Sequence, residues 1–297
     1  MSTHSQSISE ISEKSPQKFI LTLKCPDKLG VMARISGELF NKGAFITNVR
    51  HFADSDAMIY NSRIEFDDRT LNISMDDFER DLAVLAEDLE MTYKLRCADY
   101  RPKILIAVSK YDHCLNMLLT KWRGKVLPVD IVGVVSNHQD CREFVEFYGI
   151  PFHYLPITKE TKPQQEAQIT ALMEDNQVDL LVLARYMQIL SDDMCKKVSG
   201  KAINIHHSFL PGFKGAAPYK QAHDRGVKII GATAHYVTAD LDEGPIIVQE
   251  VKSIDHATSV KDMIELGHDT ESIALARAVR YHVEDRIILN GSRTIIL

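Results

Sequence analysis

The chain has 297 residues, a formal net charge of −6 at pH 7 and 45% hydrophobic content. That length suits about two domains with packed cores, and the acidic balance excludes the global basic field that nucleic-acid binding relies on. Its five cysteines are scattered and include no Cys-x-x-Cys pair, the N-terminus lacks an apolar signal core, and no run of about 18 apolar residues occurs, so a cytoplasmic protein with reduced thiols is expected.

Residues 1–17 are polar, rich in Ser and Glu, and read as a mobile tail. Lys18 to Cys25 alternates as a strand. Pro26-Asp27-Lys28-Leu29-Gly30 then turns into a helix predicted from Val31 to Lys42, with Ile35, Leu39 and Phe40 on one face and Gly43 as its stop. Strands over Ala44 to Phe52 and Met58 to Phe66 follow. A helix capped by Asp76 or Asp77 reaches Leu89, and a strand over Met91 to Ala98 completes a βαββαβ, ferredoxin-like order. Residues 18–98 therefore form one domain and Asp99 to Pro102 a linker. An exposed edge strand in such a unit favours sheet pairing between subunits, so a homo-oligomer is expected.

The second domain, residues 103–297, alternates strand and helix. Strand Ile104–Val108, helix Cys114–Arg123, strand Ile131–Val135, helix Gln139–Tyr148 with Asp140 as its cap, a short strand near His153, helix Pro163–Asn176 and strand Leu180–Leu183 predict an α/β, Rossmann-like domain with a mainly parallel sheet. No GxGxxG or Walker loop follows any of these strands. Ser259 to Asn290 reads as one long helix, with Met263, Ile264, His268, Ile273, Ala276, Val279 and Val283 at helical spacing. His256, His268 and His282 are read as structural, and Thr294 to Leu297 as a short strand.

Between these lies Ile203 to Glu250, which carries four histidines and two loops rich in Gly and Pro. A strand ending near Ile205 points Asn204 and His206 to one face, with His206 at the end where open α/β sheets bind ligands. Phe209 to Pro218 is a shaped loop, Pro218 to Arg225 a short helix, Gly231 to Val237 a strand carrying His235, Thr238 to Gly244 a turn presenting Asp242, and Ile246 to Val251 a strand. An Asn amide suits a developing oxyanion, a His moves protons near neutral pH, and a carboxylate fixes that imidazole, so the set suits attack on a carbonyl. Ser208, two residues past His206, keeps covalent attack open. A metal site also stays open, although His206-His207 lacks the i, i+4 spacing of zinc proteases and no Cys pair accompanies it.

The segments INIHHSFLPGFKG and GATAHYVTADLDEGPIIVQ resemble the signature of the folate-dependent formyltransferase superfamily, and the resemblance covers essentially the whole chain. It is closest to the deformylase branch, which hydrolyses 10-formyltetrahydrofolate to tetrahydrofolate and formate, supplies formate for purine synthesis and balances one-carbon folate pools. The resemblance implies Asn204, His206 and Asp242 as catalytic residues with His207 and His235 in support, no metal, and no cofactor beyond the folate substrate and water. It also places the pterin ring at Leu183 to Leu190, on Arg185, Tyr186, Met187, Gln188 and Leu190, where exposed amides beside apolar walls suit a flat heterocycle. For the anionic glutamate tail, Arg185, Lys110 and Lys214 all stay open. In the N-terminal domain, CPDKLGVMARISGEL followed by NKGAFITNV resembles the ACT domain, a regulatory module, and implies an amino-acid effector at Asp27 and Gly30, with plain turn chemistry as the competing reading.

Two departures from the transferase pattern set the branch. Transferases continue Asn-Ile-His with Pro, whereas this chain has His207. Transferases acting on ribonucleotides follow their first strand with a Gly-rich phosphate loop, but here Lys103 to Val108 runs into Ser109-Lys110-Tyr111-Asp112-His113, without glycine. Water is therefore the expected acceptor, and formyl transfer to an amine is the alternative.

Overall fold

The computed structural model describes residues 15–210 and 218–297. Most of the predicted tail, most of the Phe209–Pro218 loop and Lys214 lie outside the described residues. Gln17, placed in that tail, is already tied down, its amide donating to Asp68 Oδ1 at 2.8 Å. The chain divides into two compact units, one ending at Tyr100 and the other beginning at Arg101.

The first unit contains β1 (Lys18–Pro26), α1 (Val31–Asn41), β2 (Phe45–Asp54), β3 (Ile59–Asp67), α2 (Met75–Asp88) and β4 (Thr92–Cys97). Its sheet order, β2-β3-β1-β4, is antiparallel throughout, the ferredoxin-like arrangement expected from the sequence. Leu21, Leu23, Ile64 and Phe66 on the strands pack against Ile35, Leu39, Phe78 and Leu82 on the helices. Two local expectations fail. Phe40 is 80% exposed, because the buried stripe of α1 is Val31, Ile35 and Leu39 at strict i, i+4, i+8 spacing. The cap of α2 is Ser74, whose side chain accepts from the Asp77 amide, while Asp76 and Asp77 sit in the first turn and complement the helix dipole.

The second unit runs β5 (Lys103–Val108), α3 (His113–Arg123), β6 (Asp130–Ser136), α4 (Arg142–Phe147), β7 (Phe152–Tyr154), α5 (Lys162–Asp175), β8 (Leu180–Leu183), α6 (Asp192–Lys197) and β9 (Ala202–His206). It continues with α7 (Pro218–Asp224), β10 (Ile229–Tyr236), β11 (Ile246–Ser253), α8 (Val260–Val283), β12 (Ile287–Asn290) and β13 (Arg293–Ile296). The seven-stranded sheet has the order β11-β10-β9-β8-β5-β6-β7. It is parallel from β9 to β7 and antiparallel at β10 and β11.

Both faces of the central strands are covered, so those strands read as continuous apolar runs. Ile104, Ile106, Val182 and Ile203 face a core that includes Leu115, Leu118, Leu275 and Val279. Leu105, Ala107, Leu181 and Leu183 face another, with Ile169, Met194 and Cys195. The chain enters at β5, builds outward to β7, then crosses back to β8, so the order reverses between β5 and β8 and leaves a crevice beyond their C-terminal ends.

Three expectations are revised here. The last helix stops at Val283 instead of Asn290, since Asp285 takes φ 51° and residues 287–290 pair with β13. Ile264 turns outward, at 38% exposure. Cys141 occupies the cap of α4 and makes no side-chain cap bond, so Asp140 does not cap it. Among the described residues no helix is long and apolar enough to cross a membrane.

Candidate active site

Two adjacent strands and one turn assemble the site. Asn204 and His206 alternate onto one face at the end of β9, and His235 on β10 lies directly opposite Asn204 in the register. A bulge between Ala234 and His235 where β10 meets β11 adjusts the aim of His235. Asp242 sits in the turn between β10 and β11 with φ 57°, a left-handed conformation uncommon for a residue with a side chain. The turn closes so tightly that a Cβ on Gly244 would lie 1.7 Å from the Tyr236 carbonyl oxygen, so only glycine fits.

Asp242 is the hub of this set. Its Oδ2 lies 3.1 Å from His206 Nδ1, and its Oδ1 lies 3.4 Å from Asn204 Nδ2 and 3.6 Å from His235 Nε2. Burial works against the carboxylate, but the hydrogen bonds and charge of His206 and His235 together outweigh it and hold its pKa well below the usual carboxylate range. The buried His235 has Nδ1 2.9 Å from the Tyr236 carbonyl oxygen. A carbonyl only accepts, so Nδ1 carries a proton, and Nε2 faces Asn204 Nδ2 at 3.3 Å as well as the Asp242 carboxylate. Both Asn204 contacts are long, as catalytic hydrogen bonds often are before substrate arrives.

His206 is held from its other side as well, its Nε2 lying 2.9 Å from Ser208 Oγ. Ser208, His206 and Asp242 thus stand in the relation of a serine hydrolase triad. The open cavity, about 370 Å³, is however lined by His206, Asn204, His235 and Asp242 and not by Ser208, which is 9% exposed. Ser208 Oγ has a second acceptor, the Phe209 carbonyl oxygen at 3.3 Å.

All five residues expected at the pterin line the same cavity: Arg185, Tyr186, Met187, Gln188 and Leu190. Their side chains differ in what they offer it. Met187 is 54% exposed while Tyr186 is buried, its hydroxyl donating to Gln165 Oε1 at 2.9 Å. The Met187 amide donates to Ser109 Oγ at 3.0 Å. Asp27 and Gly30 belong to the N-terminal unit, where Gly30 takes φ 86° at the cap of α1 and the Asp27 amide donates to Met58 O at 2.8 Å.

A second polar cluster had no counterpart in the sequence reading. Glu271, wholly buried on α8, takes His113 Nε2 at 2.8 Å and the Tyr219 hydroxyl at 3.0 Å. Arg185 Nε lies 3.3 Å from the same carboxylate and its guanidinium sits over the Tyr111 ring. Burial opposes the Glu271 charge, yet these partners hold its pKa down, while burial and Glu271 together push the Tyr219 hydroxyl far up. His268 stacks on His113 with ring centroids 4.0 Å apart. Gly267 makes room, since a Cβ there would lie 1.9 Å from the Tyr219 hydroxyl oxygen. The available signal was Glu271 itself, a carboxylate four residues before Leu275 and eight after Met263, on the apolar stripe of its helix.

His113, Cys114 and Glu271 are the one group among the described residues whose ligand atoms are close enough together for a metal ion. Both Glu271 oxygens already have partners, a guanidinium cation adjoins them, and burial drives the Cys114 thiol pKa far up, away from the thiolate a metal needs. In the loop after β5, where a phosphate cradle would need left-handed backbone, none of residues 109–112 takes a positive φ. Ser109 Oγ instead donates to Asn137 Oδ1 at 2.7 Å. Of the residues left open for a glutamate tail, Arg185 is engaged by Glu271 and Lys110 is exposed outside the cavity.

Residues 102–279 match the formyl transferase family. A formyltetrahydrofolate deformylase from Corynebacterium sp. (strain P-1) is 44% identical over 280 residues, covering 94% of this chain and 98% of the relative. The crystal structure of a formyltetrahydrofolate deformylase from Burkholderia mallei superposes with a TM-score of 0.90 at 45% identity, covering 95% of this chain and all of the other. A glycinamide ribonucleotide transformylase from Symbiobacterium toebii aligns with a TM-score of 0.62 at 27% identity, over 69% of this chain and 98% of its own.

Proposed function

The chain belongs to the formyltetrahydrofolate deformylase family, and from that premise we infer that it hydrolyses 10-formyltetrahydrofolate to tetrahydrofolate and formate through Asn204, His206 and Asp242. The observation that carries the catalytic assignment is Asp242 joined to both His206 and Asn204 at the wall of the cavity.

With its Nδ1–H directed at Asp242, His206 keeps Nε2 as its basic nitrogen. The Ser208 hydroxyl occupies that nitrogen at rest and releases it by turning to the Phe209 carbonyl. Water then attacks the formyl carbon while His206 takes its proton, and the carbonyl oxygen becomes an anion. Asn204 gives up one of its two long contacts to donate to that oxygen, an interaction typically worth about 3 kcal/mol in such sites. When the bond to the folate nitrogen breaks, His206 returns the proton to the nitrogen, and formate leaves after losing a second proton to solvent. Asp242 stabilises the imidazolium in between.

Formyl transfer to an amine is not favoured, since the transformylase aligns with only part of the chain and the loop after β5 lacks the conformation of a phosphate cradle. The pterin is assigned to the 183–190 segment, with Met187 and Leu190 as apolar walls. We also assign to residues 18–98 a regulatory role with an amino-acid effector near Asp27 and Gly30, and to the chain a cytoplasmic location, which its five free cysteines support. The edge strand β2 exposes Phe45, Val49 and Phe52, so a homo-oligomer is the expected state.

The test is incubation of the purified protein with 10-formyltetrahydrofolate and no amine acceptor, following formate and tetrahydrofolate. Stoichiometric release of both is expected. Release only after an acceptor is added would move the chain to the transferases.

A further inference from the structure

The assignment of the reaction leaves one inner-wall residue without a defined task, and the buried cluster supplies one. His207 lines the cavity, its ring stacked on His206 at 4.8 Å between centroids. Its Nδ1 lies 3.1 Å from Arg185 Nη1. A guanidinium has donors only and keeps its proton, so Nδ1 must be the acceptor and a neutral ring must carry its proton on Nε2. Among the described residues nothing is hydrogen-bonded to that Nε2. Arg185 is itself held by Glu271, and its backbone takes the left-handed conformation, with φ 62°.

We propose that Arg185, anchored by Glu271, is a positioning residue that locks His207 as its neutral Nε2–H tautomer, so that this N–H donates to the attacking water or the formyl oxygen beside His206. The inference rests on the hydrolysis described above and adds a second donor to Asn204. It also gives the buried ion pair a purpose that fold stability does not require, since replacing such pairs by apolar residues often leaves stability unchanged.

The electrostatics agree with the geometry. His207 faces His206 on β9, Arg185 after β8, Tyr219 on α7, Glu271 on α8 and Asp242 in the β10–β11 turn. Burial is the largest influence, and the His206 and Arg185 charges add to it; Glu271 and Asp242 pull the other way without prevailing, so the His207 pKa is lowered to about 4. The ring therefore stays neutral at every pH where the reaction is expected to run.

The experiment uses the full chain labelled with 15N-histidine, the His207 signals being assigned from a His207→Gln spectrum. Native protein should show His207 as the Nε2–H tautomer, with no titration between pH 5 and 8. In the Arg185→Met/Glu271→Gln double variant, which removes both buried charges together, the tautomers should mix. The kcat of the double variant should fall about tenfold or more. An Nδ1–H ring or titration near pH 6.5 in native protein overturns the proposal, as does a ring that stays wholly Nε2–H in the double variant. The ring measurement needs no turnover, so a protein that releases no formate would defeat the assigned reaction and leave the tautomer result standing.

Discussion

Two clusters of the same residue types lie in the catalytic unit and differ in what is left over. Around Asp242 the contacts to Asn204 and His235 are 3.4 and 3.6 Å, and an open cavity adjoins them. Around Glu271 the contacts to His113 and Tyr219 are 2.8 and 3.0 Å, and the carboxylate is fully buried. The first cluster has bonds that a substrate can replace, whereas in the second both oxygens of the carboxylate are already taken by protein partners. A carboxylate with two histidines nearby is thus no sign of catalysis unless some donor or acceptor can be exchanged.

Substitution separates the two by which property collapses. Asp242→Ala should cut kcat by roughly a thousandfold or more, because His206 loses both its orientation and the charge that stabilises its cation. Asn204→Ala should cost on the order of 100-fold. Asn204→Ala should keep the melting temperature near that of the parent, and Asp242→Ala should lower it only modestly, because burial offsets much of what the His206 and His235 partners contribute to the Asp242 charge. Glu271→Ala should do the reverse to stability, costing about 3–5 kcal/mol by leaving the Arg185 guanidinium buried beside no carboxylate. Rates of formate release and urea titrations check both. Wild-type turnover in a folded Asp242→Ala protein, or an unchanged urea midpoint in Glu271→Ala, would erase the distinction.

How legible each cluster was in the sequence follows from its geometry. Asn204, His206, His235 and Asp242 fall within one stretch where strand alternation and a Gly-Pro turn fix side-chain direction, so local rules were enough to bring them together. Glu271 joins His113, Arg185 and Tyr219 across as many as 158 residues of chain, and no local rule couples them. Its neighbours Thr270 and Ser272 are also buried and donate back to carbonyls four residues earlier, so three consecutive polar residues lie inside the helix packing, which apolar spacing alone does not reveal. The short helix α6 escaped although Ser191 caps it and Asp192, Asp193, Lys196 and Lys197 match its dipole, because six residues carry too little apolar periodicity to declare themselves. The sheet itself was readable throughout, since apolar runs such as Lys103–Val108 and Leu180–Leu183 have no other plausible home than a doubly covered strand.

Acid should weaken the catalytic unit in two stages. The His207 pKa is lowered to about 4 in the folded chain, against roughly 6.5 when unfolded. Between those values the unfolded chain binds more protons, so the His207 contribution is complete above the unfolded value and lost as pH falls through the window toward the folded one. Asp242 and Glu271 are depressed carboxylates, and their contributions are lost only at lower pH, below roughly 4. Calorimetry from pH 8 to 3 should show a first decline in melting temperature beginning near 6.5, absent in His207→Gln, and a steeper one later. A single decline in both proteins would mean that His207 is not held neutral.

The smallest effect is expected at Ser208, and it bears most directly on mechanism. Ser208 Oγ stands 2.9 Å from His206 Nε2, a distance at which a nucleophilic serine would be activated. If it attacked the formyl carbon, Ser208→Ala should abolish turnover by several orders of magnitude, as in hydrolases where the triad acts as a unit. Yet the hydroxyl lies off the cavity wall, and its alternative acceptor at Phe209 lets it step aside for water. Loss of the hydroxyl then removes only a resting-state partner of His206, and kcat should stay within about tenfold of the parent. Mass spectrometry during turnover supplies the second reading: no formyl adduct on the chain is expected, and a 28 Da adduct that disappears in Ser208→Ala would replace direct attack by water with a formyl-serine intermediate.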